Sequence, residues 1–472
     1  MPSLAALQKS IKDNKIEYID LKFCDLLGDW HHITIPAYSL KQDLFKSGVG
    51  CDGSSLPGFA KIERGDMIAL PDPNTAFIDP FYDAPTMSFI CDIMSVEKAI
   101  EPYSRNPRRV IADADKYLKK MLPGVDAILG PEYEFYVFDD VKFHQGPEEG
   151  YYFLDTEEAE WNAGRAGEKN LGYKVQYKGG YHAAPPKDRT YNLRSEITTL
   201  MDRVGIKLKY HHHEVGGAGQ HEIETALEEM VKTADQSMII KYIVKNHAFR
   251  SGKSATFMPK PLYNEPGSGM HVHQYLANKK GSIFYDAKGP ARLSKVGLHY
   301  IGGLLKHAPA LFAFTNPSTN SYKRLVPGFE APVRGFYSVG NRTACIRIPG
   351  YQRNASTHRM EFRPPDATCN PYLAYAAMLM AGLDGIRNKI DPGMPNNQNL
   401  EEMSKSELKK IPLLPTSLTK ALDALDKDYK FLMEGGVFTE DLIEAWINLK
   451  RKDVEQIRTR PHPWEFQLYY DR

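Results

Sequence analysis

The stretch Gly130-Pro131-Glu132-Tyr133-Glu134-Phe135-Tyr136-Val137-Phe138 joins aromatic and β-branched residues behind a Gly-Pro opening, which is the signature of a strand. Side chains on a strand alternate between faces, so Glu132, Glu134 and Tyr136 share one face and Tyr133, Phe135 and Val137 the other. Carboxylates two residues apart on a strand have side-chain origins about 7 Å apart. That spacing suits two metal ions side by side, each with its own carboxylate. It equally suits two solvated charges on an edge strand.

The bounds set by the whole chain are broad. Its 472 residues allow one large domain or two to three ordinary ones. A hydrophobic content of 42% with 25% charged residues supports a sizeable core and argues against disorder. A formal net charge of +1 gives no field that would favour nucleic acid or an anionic membrane, so neither is expected as a partner. The cysteines, Cys24, Cys51, Cys91, Cys345 and Cys369, are scattered and form no CxxC pair, as expected of reduced thiols in a cytoplasmic protein. Residues 1–14 lack the apolar run of a signal peptide, and no segment reaches the ~18 apolar residues of a membrane span. The Ala- and Met-rich run from Leu373 to Leu383 reads as a buried helix.

Along the chain, residues 3–14 read as a short helix capped by Ser3. Ile16 to Phe23 alternates as a strand, and His31 to Pro36 returns beside it. Cys51-Asp52-Gly53-Ser54-Ser55 is a polar loop. Met67 to Leu70 and Met87 to Ile93 are further strands of a small mixed sheet. Pro107 and the helical spacing that follows mark a domain boundary, giving domains at 1–105 and 106–472. Residues 144–182 have weak periodicity and read as a long surface excursion. Strands are expected over 206–215, 220–224, 269–273, 341–349 and 359–363, and helices over 192–204, 225–246, 296–306, 417–433 and 438–455. Asn370-Pro371 opens the apolar helix as cap and first residue. The aromatic tail Trp464 to Tyr470 would be a liability if exposed, so it is expected to dock on another subunit.

Glu132, Glu134, Glu214, Glu222, His271 and Glu361 fall on strands next to glycine or turn residues. Five carboxylates and one imidazole suit Mg²⁺ or Mn²⁺, whereas zinc prefers more nitrogen or sulfur. His211-His212-His213 invites a zinc reading, but a strand turns His211 and His213 away from His212 and Glu214. A second set is cationic: Arg324, Arg342, Arg347 and Arg363, with Arg359. Guanidinium forks grip carboxylate and phosphate, though each also suits a simple ion pair. Arg342 and Arg347 are five apart, so either a bulge intervenes or they serve different groups. There is no GxxxxGK[ST] and no GxGxxG, and Gly216-Gly217-Ala218-Gly219 is neither. Metals and arginines without a nucleophilic Ser or Cys arrangement point to phosphoryl transfer by positioning and charge neutralisation.

Several of these stretches, in this order, resemble the class I glutamine synthetases of prokaryotic type. They include Asp52-Gly53-Ser54-Ser55, Gly130 to Phe135, His211 to Glu214 with Ala218-Gly219-Gln220, Phe257 to Pro261, and Gly267 to His271. They continue through Ser321 to Pro332, Asn341-Arg342, Ile346 to Pro349, Asn370 to Tyr372, Gly435 to Thr439 and Pro461-His462-Pro463. The resemblance implies an α+β fold: a small N-terminal β-grasp-like domain, then a large catalytic domain whose mainly antiparallel curved sheet is flanked by helices. It implies ATP-dependent joining of ammonium to L-glutamate through γ-glutamyl phosphate, with two or three Mg²⁺ or Mn²⁺ ions per subunit.

The resemblance also implies roles for individual residues. Glu134, Glu214 and Glu222 hold the metal near glutamate, and Glu132, His271 and Glu361 the metal near the ATP phosphates. Gly267, Arg324, Arg342 and Arg363 bind glutamate or the transferred phosphoryl group, while His273, Arg342 and Arg347 face ATP. Glu330 lies on a closing flap that also meets substrate. Asp52, with Ser55 nearby, reaches in from a neighbouring subunit to bind and deprotonate ammonium. The implied assembly is a dodecamer of two hexameric rings with active sites between subunits.

The chain departs from the family pattern at Cys51, where an aromatic is usual, at Pro266 for Asn, at Tyr275 for Ser, at Lys209 for Glu and at Ser356 for a basic residue. Metal and phosphoryl positions are intact; the nucleotide rim is altered. Two other readings stand beside this one: a ligase joining glutamate to a larger amine, and a non-catalytic regulatory relative. In some members a tyrosine ahead of the final helices accepts AMP. Glu401 stands at that position, so this chain is expected to escape that modification.

Overall fold

A computed structural model describes every residue except Met1, Lys98, 168–170, Arg353 and Asn399, and leaves aside the side chain of Glu401. The stretch read as the AMP-acceptor position therefore lies partly outside the described residues. Its neighbours Leu400–Glu402 form one 3-10 turn.

The N-terminal sheet orders its main strands Trp30–Pro36, Tyr18–Cys24, Thr86–Ser95, Asp66–Pro71 and Val49–Asp52. Tyr18–Cys24 and Thr86–Ser95 run parallel; the other neighbours on this path run antiparallel. Ile19, Leu21, Phe89 and Ile93 are fully buried and supply its core. Alternation alone would put Asp20 and Lys22 in water, yet both are buried. Lys22 Nζ lies 2.7 Å from Asp20 and 3.3 Å from Asp79, under the ring of Tyr242 at 4.6 Å. Two carboxylates and an aromatic face satisfy the desolvated ammonium.

The second sheet decides what the chain does. Its order is Leu208–His213, Gln220–Thr225, Asp126–Phe138, Val272–Asn278, Met360–Phe362, Ile346–Ile348 and Tyr337–Val339, antiparallel except for the last pair. The carboxylate strand Asp126–Phe138 is therefore central, with Gln220–Thr225 on one side and Val272–Asn278 on the other. This removes the edge-strand reading. Register then stacks charge on charge: Glu222 stands opposite Glu134, Glu224 opposite Glu132, and His273 and Arg347 each opposite Glu361.

Behind the sheet, helices Lys295–Thr315 and Pro371–Asn388 pack closely. A Cβ on Gly303 would sit 2.0 Å from the Ala381 carbonyl, so only glycine permits this approach. Asn370 caps the second helix by accepting from Tyr372 N at 3.1 Å, and its amide donates to the carbonyls of Asp25 and Leu26 in the first domain at 3.2 Å. Arg108 also spans the junction, donating to Asp235 at 2.9 Å, Asp72 at 2.8 Å and Asp92 at 3.1 Å.

Several element ends differ from expectation for local reasons. The helix expected over 296–306 runs to Thr315 with Pro309 inside it. The helix expected from 225 starts at Met230, because Glu228–Glu229 first pair with the carboxylate strand. The strand expected over 341–349 shrinks to Ile346–Ile348, since Asn341 accepts from Thr343 N at 2.9 Å and forms a turn. Val272–Asn278 begins later than expected, although Glu132 N still donates to the His271 carbonyl at 2.9 Å. The excursion over 144–182 is partly ordered: Asp140–Gln145 and Gly150–Asp155 form a hairpin.

Candidate active site

The sheet face bearing Glu132 and Glu134 opens into a cavity of about 390 Å³. Its floor is Glu132, Glu134, Glu214, Glu222 and His271. Glu132 divides its oxygens: Oε2 lies 2.9 Å from His271 Nδ1 and Oε1 lies 2.9 Å from His273 Nε2. Burial alone would raise the Glu132 carboxyl, but the hydrogen bonds with the two histidines outweigh it and hold it well below its ordinary value. Burial, aided by the nearby Arg363 charge, pushes His271 down to about 4, so its imidazole is neutral at neutral pH, the form that ligates a cation. With Nδ1–H donating to Glu132, its Nε2 accepts from Arg324 at 3.3 Å.

Beside this pair, Glu214 is pushed up to about 7 by burial and then by the charge of Glu134. Glu222 is also pushed up, by burial first and then by Glu132 and Glu214. Like charges packed in a desolvated pocket are relieved by a retained proton or by a cation among them. Ligand atoms of Glu132, His271 and Glu361 lie within 4.8 Å of one another, as do those of His212, Glu214 and Glu222. Both groups fit divalent cations. In the second group His212 stands where Glu134 was expected. Glu134 faces the same floor but gives its Oε2 to the Gly269 N–H at 2.8 Å.

Arginines form the wall. Arg324, Arg342 and Arg363 line the cavity. Arg324 is fixed by donation to the Pro364 carbonyl at 2.7 Å, and Arg363 pairs with Glu361. Arg347 lies behind them, its Nε donating to Glu361 at 2.6 Å. The turn at Asn341 thus resolves the five-residue spacing: Arg342 reaches the cavity and Arg347 reaches Glu361. Gly267 sits where a Cβ would meet the Pro259 carbonyl at 2.5 Å and the Arg324 side chain at 2.6 Å, so glycine keeps that corner open. Glu330 overhangs the mouth with a left-handed φ of 53°, a strained conformation for a non-glycine residue. The adjoining Phe329 ring is held by Lys260 Nζ at 3.8 Å and Lys178 Nζ at 4.8 Å.

One chain does not bring every expected residue to this cavity. Asp52 lines a separate recess of the N-terminal domain with Cys51, Asp66 and Met67. There its Oδ1 accepts from Ser54 N and Oγ at 2.8 and 2.7 Å, and its Oδ2 from Ser55 Oγ at 2.8 Å. His273 and Glu361 do not line the cavity; His273 lies against Glu132 at 2.9 Å and Glu361 against His271 at 3.8 Å. Tyr181, Lys178, His212 and Glu224 were not expected. For the last two the signal was available: Glu224 lies two residues from Glu222, and His212 two from Glu214, on the same strand faces. Lys209, one of the altered rim residues, pairs with Glu224.

A buried carboxylate–imidazole cluster facing a wall of arginines, on a curved antiparallel sheet beside a β-grasp domain, defines a metal-dependent phosphoryl-transferring enzyme. Family profiles carry this further. That of the glutamine synthetase catalytic domain matches residues 104–469, and that of the glutamine synthetase β-grasp domain matches residues 15–96. The glutamine synthetase of Frankia alni is 50% identical over 466 residues, covering 98% of each chain, and that of Nostoc sp. is 50% identical over 467. A Plasmodium falciparum glutamine synthetase structure superposes with a TM-score of 0.89 at 29% identity, covering 100% of this chain and 99% of that one. The chain belongs to the glutamine synthetase family, in its bacterial form.

Proposed function

We infer that this enzyme joins ammonia to L-glutamate at the expense of ATP, giving L-glutamine, ADP and phosphate. The observation that carries this reading is the apposition, across one cavity, of the Glu132–Glu222 carboxylate floor and the Arg324–Arg342–Arg363 wall. A carboxylate is a poor acyl donor, so its γ-oxygen must first take the terminal phosphoryl group of ATP, with ADP leaving. Ammonia then attacks the carbonyl carbon of γ-glutamyl phosphate and phosphate leaves.

Two cation sets fit the floor, Glu132–His271–Glu361 and Glu214–Glu222 with Glu134 and His212 at hand. Bound there, Mg²⁺ or Mn²⁺ would neutralise phosphate charge. Arg342 and Arg363 would hold the equatorial oxygens of the phosphoryl group in flight. Arg324 and Gly267 shape the glutamate end. His273 fixes Glu132 and Arg347 fixes Glu361, and through these carboxylates both act at the ATP end of the site. Glu330 and Phe329 close the mouth against water, which would otherwise hydrolyse the acyl phosphate.

Asp52 and Ser55 are assigned to the ammonium step in a neighbouring subunit's cavity: the ion is held by carboxylate and hydroxyl, and Asp52 takes a proton to free the lone pair. Their position in a recess apart from the main cavity supports active sites built between subunits. The exposed aromatic tail supports a stacked assembly, for which two six-membered rings is the proposal. We place the domain boundary at 105/106, where Pro107 starts a helix. Among the described residues no helix is long and apolar enough to cross a membrane, and we place the enzyme in the cytoplasm.

Glutamate carrying ¹⁸O in its γ-carboxylate tests the sequence of steps. One labelled oxygen should appear in the phosphate released with each glutamine. Unlabelled phosphate would overturn the acyl phosphate route.

A further inference from the structure

We propose that Lys178 and Lys260 are positioning residues for the reaction: their ammonium groups clamp the Phe329 ring and so hold the flap shut over γ-glutamyl phosphate. The clamp rests on the acyl phosphate route inferred above. Its two halves come from distant parts of the chain, Lys178 from the excursion over 144–182 and Lys260 from the turn before Gly267.

Phe329, Glu330 and Lys178 all line the mouth of the cavity. Lys260 Nζ lies 3.8 Å from the centre of the Phe329 ring and Lys178 Nζ 4.8 Å, both within reach of cation–π attraction. Two ammonium groups at one place repel. Burial, and then the charge of Lys178, push Lys260 down to about 8. Their hydrogen bonds bring no countercharge, since Lys178 donates to the Asn264 side chain at 3.3 Å and Lys260 to the Glu265 backbone carbonyl. The Glu265 carboxylate offsets part of the repulsion through space, and the negative face of the ring supplies a further share.

The anchors are set by contacts away from the flap. Lys260 N donates to Asn320 Oδ1 at 2.6 Å and its carbonyl accepts from Asn320 Nδ2 at 3.1 Å. Lys178 N donates to the buried Glu265 carboxylate at 3.3 Å. Nothing lies within 4 Å of where a Gly328 Cβ would stand, so close packing at the base of the flap does not hold it. Backbone strain gathers here too. Among the described residues eight non-glycine residues carry a left-handed φ, and three of them meet at the clamp: Lys178 at 58°, Asn264 at 62° and Glu330 at 53°. Such conformations persist where the surroundings over-determine them, and they collect at clamps and switches.

The chemical consequence is coupling. Water that reached the intermediate would attack the γ-carbonyl carbon, the bond from that carbon to the phosphate oxygen would break, and the water's proton would pass to solvent. Glutamate and phosphate would form, and ATP would be consumed without an amide. A loosened clamp therefore leaves phosphoryl transfer running and diverts its product.

Counting ADP and glutamine together, on the assembled enzyme at saturating ammonium, tests this. The parent should release one ADP per glutamine; ADP release without glutamine would overturn the acyl phosphate reading and the clamp with it. In the Lys178→Met, Lys260→Met double variant the ratio of ADP to glutamine should rise about fivefold, the scale of a cation–π contact on a partly exposed ring. Arginine at both positions should bring the ratio back towards one, since guanidinium also sits on ring faces. Phe329→Leu should uncouple alone, and adding Lys178→Met to it should change nothing more. With the parent at one, a ratio of one in the double lysine variant overturns the clamp, as does a Lys178→Met effect that adds in full to that of Phe329→Leu. Should the lysine variants not fold, replacing Phe329 by trifluorophenylalanine keeps its shape and strips the ring face of negative charge. A raised ratio then supports the clamp, and a ratio of one overturns it.

Discussion

Glu361 shows how much one side chain carries here. It is fully buried, it pairs with both Arg347 and Arg363, and it lies 3.8 Å from His271. Glu361→Ala would remove the proposed metal ligand and leave two buried guanidinium groups without their shared carboxylate, a cost of about 3–5 kcal/mol. Release of γ-phosphate should fall to background and the melting temperature should drop. A phosphate-release rate near that of the parent would contradict the assignment. Asp52 is the opposite case, an exposed residue whose proposed role needs a second subunit. Asp52→Ala should leave ATP and glutamate binding intact but severely impair the use of ammonium. An unchanged KM for ammonium and unchanged turnover would make it structural. Glu132 and Glu134 were legible because strand periodicity fixes which residues share a face. Glu224 was legible only in part: its spacing from Glu222 put it on the same strand face, but its place opposite Glu132 depends on the register between two strands distant in sequence. Arg342 and Arg347 could be separated only once the turn at Asn341 was seen.

At the level of elements, strands with one face on a core were legible and others were not. The hairpin Asp140–Gln145 and Gly150–Asp155 leaves Phe143, Tyr151 and Tyr152 exposed, so no buried alternation marks it as two strands. The helix Lys295–Thr315 outlasts its expected end because its last turns, Ala310 to Thr315, are buried and tertiary packing overrides Pro309. The helix Tyr191–Arg203 is anchored from outside: Arg194 donates through Nη2 to Asp188 at 2.6 Å, with both side chains almost wholly buried. Burial would raise the Asp188 carboxyl, but the hydrogen bond and charge of Arg194 hold it below its ordinary value of 3.8. The unfolded chain therefore takes up this proton more readily than the folded one. The stability from the pair is full above about pH 4 and is lost as pH falls through the folded value. Asp188→Asn should cost about 3 kcal/mol in urea unfolding at pH 7 and clearly less near pH 3. An equal cost at both pH values would show that charge plays no part.

At the scale of the whole molecule, two features fit the proposed assembly of subunits. Trp464 and Phe466 on the terminal helix are 56% and 55% exposed, while Asp52 faces a recess apart from the main cavity. Both features make sense when subunits supply each other's missing surface. Deleting residues 464–472 should weaken stacking between rings and shift the sedimentation profile toward smaller species. An unchanged profile would refute docking of the tail. Within the chain, Arg108 and Asn370 hydrogen-bond the N-terminal domain to the helices of the catalytic domain.

The most direct test of the account is a single assay of the assembled enzyme with Mg²⁺, ATP and L-glutamate, in which ammonium, methylamine and putrescine compete as acceptors. One glutamine should form per ADP released, with ammonium preferred over both amines. Glutamine absent while a larger amine is joined, or no ADP release with any acceptor, would contradict it.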